Sequence, residues 1–371
     1  MSDAHAFDVN WSNSRPGERD ACVNPKTVLA EFTTSICPIL ILGALNWPGG
    51  LILLVASITI PIAGYADWLS DEQAIMGTVV RVELWHEDEA VGRAAIDAVM
   101  AEMHRIDKLM STYKEDSELS RVNREAAERP VAVTRELFDL VSRSLEVSEM
   151  TAGAFDITYA SAGHLYNYRR KIKPSAEALK EALPAIDYRH VILSKRDTSI
   201  AFKHDGVRVD LGGIAKGHAV DRAVGLLRAR GITQAIVSAG GDSRIIGDRQ
   251  GRPWMVGVRD PRREKEMAAI LPLSDTAVST SGDYERYFEL DGVRYHHIIS
   301  PASGRPVAGI RSVTAIGRDS TTMDALSTSV FVMGVEKGLS LVESLPKVEA
   351  VIIDAAGRMH YSSGLLRRQS P

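Results

Sequence analysis

Three stretches of this 371-residue sequence place residue types at spacings that could do chemistry. The first is Val207-Arg-Val-Asp-Leu-Gly-Gly-Ile-Ala-Lys-Gly-His218, which reads as a strand ending in paired glycines that open a helix to Arg230, stopped by Gly231. Glycines let backbone N–H groups approach an anion, a helix N-terminus adds partial positive charge, and Lys216 in the first turn adds a full one. The pattern is neither GxGxxG nor GxxxxGK[ST], so it is not a dinucleotide-fold or P-loop signature. The same residues also fit a plain tight turn with a surface lysine.

The second stretch, Thr321-Thr-Met-Asp-Ala-Leu-Ser-Thr-Ser-Val-Phe-Val-Met-Gly334, reads as a capped helix with Asp324 in its first turn and Thr328 four residues on. That spacing puts both oxygens on one face. With a nearby backbone carbonyl they would form an oxygen-only site of low charge, suited to Mg²⁺ whose other ligands are waters and phosphates. The alternative is an acid favoured by the helix dipole beside an incidental threonine. The third stretch, Tyr295-His-His-Ile-Ile-Ser-Pro-Ala-Ser-Gly304, sets His296 and His297 side by side on a strand, facing opposite ways. They cannot easily share one ion, but one could serve a site as acid, base or hydrogen-bond donor. Tyr113 could stack on a planar ring, whereas Phe155 more readily fills a core.

The elements that must position these residues alternate along most of the chain. Thr78, Val80, Val82 and Leu84 alternate as a half-buried strand, and Val91 to Met110 spaces apolar residues at three and four as a helix. Further helices start near Thr134 and Ser175, each an N-cap residue. Three short β-rich runs lie within 188–211, and Arg286–Leu290 with Val293–Ile299 flank Asp291-Gly292 as a hairpin. Strands outnumber simple βαβ units, so an α+β class with mixed sheets and packed helices is expected, in one body that could be two-lobed.

Composition narrows the function. A net charge of −4 leaves no basic excess for a nucleic-acid backbone. The two cysteines, Cys22 and Cys37, form neither a disulfide framework nor a thiolate metal site. No Gly-x-Ser-x-Gly elbow, HExxH or paired-carboxylate pattern stands out. Phe32 to Ala66 carries no charged side chain and follows Arg15, Arg19 and Lys26, which reads as a signal peptide cleaved near Ala66 or an uncleaved anchor over residues 1–66. Residues 67–371 would then form the exported domain, in the periplasm or on the periplasmic face of the inner membrane, with no cysteine left to oxidise.

Several motifs in register resemble the ApbE family of FAD:protein FMN transferases. They are Met76-Gly-Thr78, Met110-Ser-Thr-Tyr113 with Ser117-Glu-Leu-Ser-Arg-Val-Asn123, Gly153-Ala-Phe-Asp156, Val209-Asp-Leu-Gly-Gly-Ile-Ala-Lys-Gly217, Ala239-Gly-Gly-Asp242, Thr280-Ser-Gly-Asp-Tyr284, His297-Ile-Ile-Ser-Pro-Ala-Ser-Gly304 and Asp324-Ala-Leu-Ser-Thr328. The resemblance implies an enzyme that moves the FMN half of FAD onto a threonine or serine hydroxyl of a target protein and releases AMP, assisted by Mg²⁺. It implies Asp324, Thr328 and the Ala215 carbonyl as metal ligands. Met76, Tyr113, Ala154, Phe155 and Asp156 would hold FAD, with Gly212, Lys216, His218 and Ile299 as further contacts. His297 would activate or orient the acceptor hydroxyl, with His296 as its control. The implied acceptors are exported flavoproteins such as subunits of Na⁺-pumping quinone reductase or Rnf-type complexes.

Two departures from the family pattern stand out. Ser300 replaces the Asp or Asn common before the proline, and Tyr159-Ala-Ser-Ala-Gly-His-Leu-Tyr166 replaces a Gly/Pro-containing turn. The competing readings are an FAD pyrophosphatase, in which water takes the place of the hydroxyl, an exported FAD carrier without turnover, and a purely structural envelope protein.

Overall fold

The described part of the chain opens with a hairpin whose turn is conformationally costly. Strands β1 (Trp68–Ile75) and β2 (Thr78–Trp85) pair antiparallel in full register, and the two turn residues, Met76 and Gly77, both sit at positive φ, 55° and 70°. A two-residue turn of that hand matches the twist of the flanking strands, but only glycine enters it without steric cost. A methionine held there marks a constrained position. The computed structural model describes residues 68–263 and 266–367, all within one unit. The leader read over residues 1–66 lies outside the described residues.

After β2, Asp88 accepts hydrogen bonds from the Ala90 and Val91 N–H groups and starts α1 (Glu89–Met110), which buries Ala95, Ile96, Val99, Met103 and Ile106 on one face. Then come α2 (Glu118–Glu125), β3 (Val131–Ala132), α3 (Arg135–Met150), α4 (Ala160–Gly163), α5 (Ala176–Ala182), β4 (Val191–Ser194), β5 (Ser199–Phe202) and α6 (Ala215–Ala229). Thr134 and Ser175 cap α3 and α5 as their sequence positions suggest. Next are β6 (Ala235–Ala239), β7 (Asp242–Ile246), β8 (Trp254–Arg259), β9 (Met267–Leu273), β10 (Ala277–Gly282), β11 (Tyr287–Leu290) and β12 (Val293–His296). The chain closes with β13 (Ile310–Gly317), α7 (Ser320–Ser344), β14 (Glu349–Asp354), β15 (Met359–Tyr361) and α8 (Ser363–Arg367).

Eight strands form one sheet in the order β1-β2-β6-β7-β10-β13-β14-β15, and every pairing in it is antiparallel. This is the α+β class expected from the strand count. Helices α1, α6 and α7 lie side by side against the sheet. One apolar core joins β1, β2 and β6 to α1, α3 and α6, and a second joins β13 and β14 to α7.

Three local readings need correction. Val207–Leu211 is not a strand, because side chains and loops take its backbone groups. Ser161 Oγ accepts from Arg208 N at 2.9 Å, Asn123 bonds both the N–H and the carbonyl of Val209 at 2.8 and 2.9 Å, and Asp210 N donates to Ile157 at 3.0 Å. The strand starting at Val293 ends at His296 rather than Ile299, so His297 follows it. Asp319 caps α7, which puts Asp324 beyond the first turn rather than in it, and helical geometry breaks at Gly334, whose φ is 80°.

The packing of α6 against α7 fixes the region of interest. Ile214, at the N-cap position of α6, offers no side-chain cap, and the Gly217 N–H in the first turn instead donates to Asp324 Oδ2 of α7 at 3.0 Å. In return Asp221 of α6 accepts from the Ser320 and Thr321 N–H groups at the start of α7, at 2.9 and 2.8 Å. Each helix thus supplies a carboxylate to the positive end of the other. The approach requires a glycine, since a Cβ at residue 217 would lie 2.2 Å from the Ser320 carbonyl oxygen and 2.8 Å from Asp324 Cβ. We expect Gly217→Ala to destabilise the fold by about 1–3 kcal/mol, the range for overpacking, measured as a lower urea midpoint at unchanged slope. An unchanged midpoint would mean that the helices are not held at this distance.

Candidate functional site

The first turn of α6, the second turn of α7 and the ends of β7 and β10 converge at one end of the sheet. The Gly240-Gly241 turn brings β6 into β7 and starts the strand on Asp242, paired with Ser279 of β10. A side chain at Gly241 would meet the Thr280 carbonyl at 2.4 Å, so the close approach of the turn to β10 depends on its absence. Lys216 fills the centre. Its Nζ lies 2.8 Å from Asp242 Oδ2, 3.3 Å from each Asp324 oxygen and 3.2 Å from the Gly212 carbonyl. A ladder of hydroxyls runs beside it. Ser279 donates to Asp242 Oδ1 at 2.5 Å, Ser327 links Ser279 and Ser281 at 3.1 and 2.8 Å, and Ser281 reaches Thr328 Oγ1 at 3.1 Å.

Two buried carboxylates here share one ammonium. Burial works against the charge of Lys216, but Asp242 and Asp324 outweigh it and hold the lysine above its ordinary range. Asp324 goes the other way, pushed up to about 7 by burial and by the like charge of Asp242, against the pull of Lys216 and the Gly217 N–H. The two shifts are consistent if Asp242 holds the shorter contact to the lysine and Asp324 is left under-neutralised. Burial also raises Glu285, with Asp242 adding to it and Arg259 and Lys216 opposing. With both aspartates ionised the cluster would hold one negative charge more than Lys216 offsets, so below about pH 7 a proton stays on Asp324, in a place that an added cation could take.

The donors suit a hard cation. Among the described residues no group of three or more His, Cys, Asp or Glu side chains gathers around one point. The Asp324 carboxylate meets the first turn of α6 at Gly217, and the Thr328 hydroxyl one helical turn on lies beside Ser281 and Gly213, oxygen donors of the kind that suit Mg²⁺ held through few protein ligands. The residues thus fit a divalent ion that completes its shell from water and phosphate.

The DLGG loop is locked from three sides. The Asp210 carboxylate accepts from Thr112 Oγ1 at 2.8 Å, Tyr159 Oη at 3.1 Å and Gly212 N at 2.7 Å. A Cβ on Gly213 would lie 3.3 Å from the Phe155 ring and 3.4 Å from Thr328 Oγ1, which places Phe155, Gly213 and Thr328 together. Phe155 is buried and belongs to the main core. Gly212 and Lys216 join the cluster directly.

Other site candidates lie around it or apart from it. Tyr113 is 81% exposed, with Arg286 Nη1 donating to its hydroxyl at 3.1 Å. The same guanidinium approaches Gly77, next to Met76, so the costly hairpin turn and the exposed ring share a neighbour. Ala154 precedes Phe155 in a turn. Asp156 is spent locally, both its oxygens accepting from Thr158 and Tyr188 N–H groups, and burial raises its proton affinity. Ile299 is buried beside Gly163 and Tyr159. His218 is not brought to the cluster. Two residues beyond Lys216, it points to Glu136, 2.9 Å away, in an ion-pair group with Arg105, Arg222 and Glu102.

The paired histidines part as their spacing implies. His296 is buried with its edge on Phe331, and its Nε2 lies 2.8 Å from the Val307 carbonyl. The Nδ1 of His297 is buried and has no hydrogen-bond partner among the described residues. Burial first, then the charges of Arg286, His296 and Lys216, push His297 down to about 3. It is therefore neutral at ordinary pH, within the field of Lys216.

Sequence reasoning assigned no role to Asp242, the shorter of the lysine's two carboxylate contacts, nor to Asp210, Ser279 and Ser281. For Asp242 a signal was present, an acid directly after a Gly-Gly turn at a strand end. The departure Tyr159–Tyr166 is a packed element here, Tyr159 bonding Asp210 and Tyr166 donating to the Gly304 carbonyl at 3.0 Å.

Charge linkage makes the cluster testable in metal-free protein. Asp324 near 7 when folded against about 4 unfolded keeps a proton that the unfolded chain has released, so its stability contribution is complete below pH 4 and is lost as pH rises towards 7. His297 acts with the opposite sign, gaining stability as pH rises from about 3 to its ordinary value of 6.5. The difference in melting temperature between unaltered and Asp324→Asn protein isolates the carboxylate. We expect it to shift in favour of the variant between about pH 4 and 7 and to stay constant above. A difference that is flat across this window contradicts the assignment.

Comparison with known proteins covers most of the described chain. The ApbE family profile matches residues 76–352. The FAD:protein FMN transferase of Treponema pallidum is 35% identical, over 81% of this chain and 88% of its own. That of Vibrio cholerae is 32% identical, over 78% and 89%. Among solved structures, the ApbE protein of Thermotoga maritima superposes with a TM-score of 0.77 at 36% identity, covering 82% of this chain and all of that one. The flavin transferase ApbE of Vibrio cholerae superposes with a TM-score of 0.73 at 28% identity, covering 81% and 99%.

Proposed function

The chain belongs to the ApbE family and is a FAD:protein FMN transferase, and from that premise we propose that it esterifies a threonine or serine hydroxyl of an exported acceptor protein with FMN, releasing AMP with the help of Mg²⁺. The observation that carries this reading is the half-buried Lys216 held between the buried Asp242 and an under-neutralised Asp324, one helical turn from Thr328, beside a glycine loop.

In the proposed reaction the acceptor oxygen bonds to the flavin-side phosphorus as its hydroxyl proton is lost to water, the P–O bond of the pyrophosphate breaks, and AMP leaves with the bridging oxygen. Such a displacement needs charge neutralisation and positioning more than covalent help from the protein. Asp324, Thr328 and the Ala215 carbonyl are the ligands we assign to Mg²⁺, which when bound would neutralise charge on the pyrophosphate. Lys216 supplies a fixed positive charge at the same place. Gly212 and Gly213 keep the loop free of side chains beside Thr328, and their backbone is held by Asp210.

Tyr113, exposed and steadied by Arg286, offers a ring face for the flavin or adenine, with Met76 in the adjacent turn. His297 stays uncharged, and we assign its imidazole to orient the acceptor hydroxyl. Its weak proton affinity makes it an orienting group rather than a strong base. Export of the domain belongs to the same proposal, supported by the uncharged run from Phe32 to Ala66. So do Na⁺-pumping quinone reductase and Rnf-type subunits as acceptors.

The test is flavinylation of a co-expressed acceptor, read as a fluorescent band in a denaturing gel. Asp324→Ala should lower the rate on the order of 10²–10³-fold, as expected when one stabiliser of developing charge is removed, while His296→Gln leaves it nearly unchanged. Rapid AMP release from FAD and Mg²⁺ without any acceptor would favour the pyrophosphatase instead. An unaffected Asp324→Ala protein would remove the metal assignment.

A further inference from the structure

Tyr159 stands where a short helical turn, Ile157–Tyr159, passes into α4, and its side chain reaches from there to the DLGG loop. Its hydroxyl donates to Asp210 Oδ1 at 3.1 Å. The same oxygen accepts from Gly212 N at 2.7 Å, and Oδ2 accepts from Thr112 Oγ1 at 2.8 Å. Two further bonds hold the segments together, from Asp210 N to the Ile157 carbonyl at 3.0 Å and from Arg208 N to Ser161 Oγ at 2.9 Å. Residues 157–161 thus serve the 208–210 segment as a strand partner would.

The ring is wedged in place. A Cβ on Gly163 would lie 3.1 and 3.2 Å from two of its carbons and 3.7 Å from Ile299 Cδ1, and one on Gly212 would lie 3.9 Å from its hydroxyl oxygen. The ring therefore fills the space between Gly163 and the glycine loop, with little freedom to turn away. Burial, and after it the Asp210 carboxylate, holds the phenol well above its ordinary range. It remains a hydrogen-bond donor at any working pH.

Gly212 is gripped at both of its polar groups. Its N–H is held by Asp210, and its carbonyl accepts from Lys216 Nζ at 3.2 Å. A glycine has no side chain to limit its backbone angles, so these two bonds set its place. Lys216 is also the ammonium that Asp242 and Asp324 share. An unbroken path therefore runs from the Tyr159 hydroxyl through Asp210 and Gly212 to the lysine. The carboxylate is the adjustable link in it, because the terminal torsion of an aspartate is broad. With one of its three donors removed it can turn, and Gly212 then loses the bond that holds it against Lys216.

We infer that Tyr159 is a positioning residue for FMN transfer, whose hydroxyl acts through Asp210 to fix the Gly212 backbone against Lys216 and so keeps the lysine's charge where the pyrophosphate reacts. The inference rests on the flavin-transfer reading. It makes the phenol oxygen, rather than the ring, the functional part of the side chain, with Thr112 as the second donor to the same carboxylate.

The test uses the full chain with FAD and a purified Na⁺-pumping quinone reductase subunit as acceptor. Tyr159→Phe should lower kcat about ten- to a hundredfold, as a small misplacement near the chemistry does, with KM for FAD within about twofold and the melting temperature unchanged. Thr112→Val should act in the same direction. On an Asp210→Ala background, removing the hydroxyl should cost less than about twofold more, because the group it acts through is already gone. Hydrogen–deuterium exchange, followed without acceptor, should be faster in Tyr159→Phe over residues 207–217 and unchanged elsewhere. The inference is overturned if Tyr159→Phe keeps its kcat, if only KM for FAD rises, if the loss persists in full beside Asp210→Ala, or if exchange over 207–217 does not change. Absence of transfer by the unaltered protein counts against the transferase reading instead, and the exchange measurement then decides the inference by itself.

Discussion

The arrangement turns on one carboxylate that answers to two demands. Asp324 caps the first turn of α6 through Gly217 and at the same time shares Lys216 with Asp242. Capping alone would favour its charge, yet burial beside a second acid works against it, and the balance leaves the group near neutrality in proton affinity. A fold that only needed helix capping would not place Asp242 there. Two buried acids beside one ammonium are tolerated where a proton or another cation completes the balance, and under the proposed function a divalent cation arriving with the nucleotide would do so.

The neighbouring elements serve that placement. Asn123, from α2, and Asp210 hold the Val207–Gly213 segment extended without a partner strand, so the paired glycines are presented to Thr328 rather than absorbed into a sheet. Reciprocal capping by Asp221 ties α7 to α6, and the kink at Gly334 comes only after the turns that carry Asp324 and Thr328. The eight-stranded antiparallel sheet gives these helices a common floor, with the Gly240-Gly241 turn delivering Asp242 at its end.

Much of this was legible in the residues, and the omissions have a common cause. Periodicity and capping chemistry are local, so the helix starting after Thr134, the Asp291-Gly292 hairpin and the Asp324–Thr328 spacing could all be read directly. The family motifs supplied the order of the site. What could not be read depends on tertiary partners. Val207–Leu211 has the composition of a strand, but its pairing is decided by Asn123, Ser161 and the 157 loop. Asp242 looks like a turn residue until β7 is laid against β10. His218 follows the lysine closely in sequence, yet helix geometry turns it towards Glu136.

The most direct test of the central claim is crystallographic. Crystals grown with FAD and Mn²⁺ should show an anomalous peak bonded to the Asp324 carboxylate and the Thr328 hydroxyl, adjoining the FAD pyrophosphate. A map in which Lys216 still joins both carboxylates, with no metal signal and the nucleotide bound elsewhere, would contradict it.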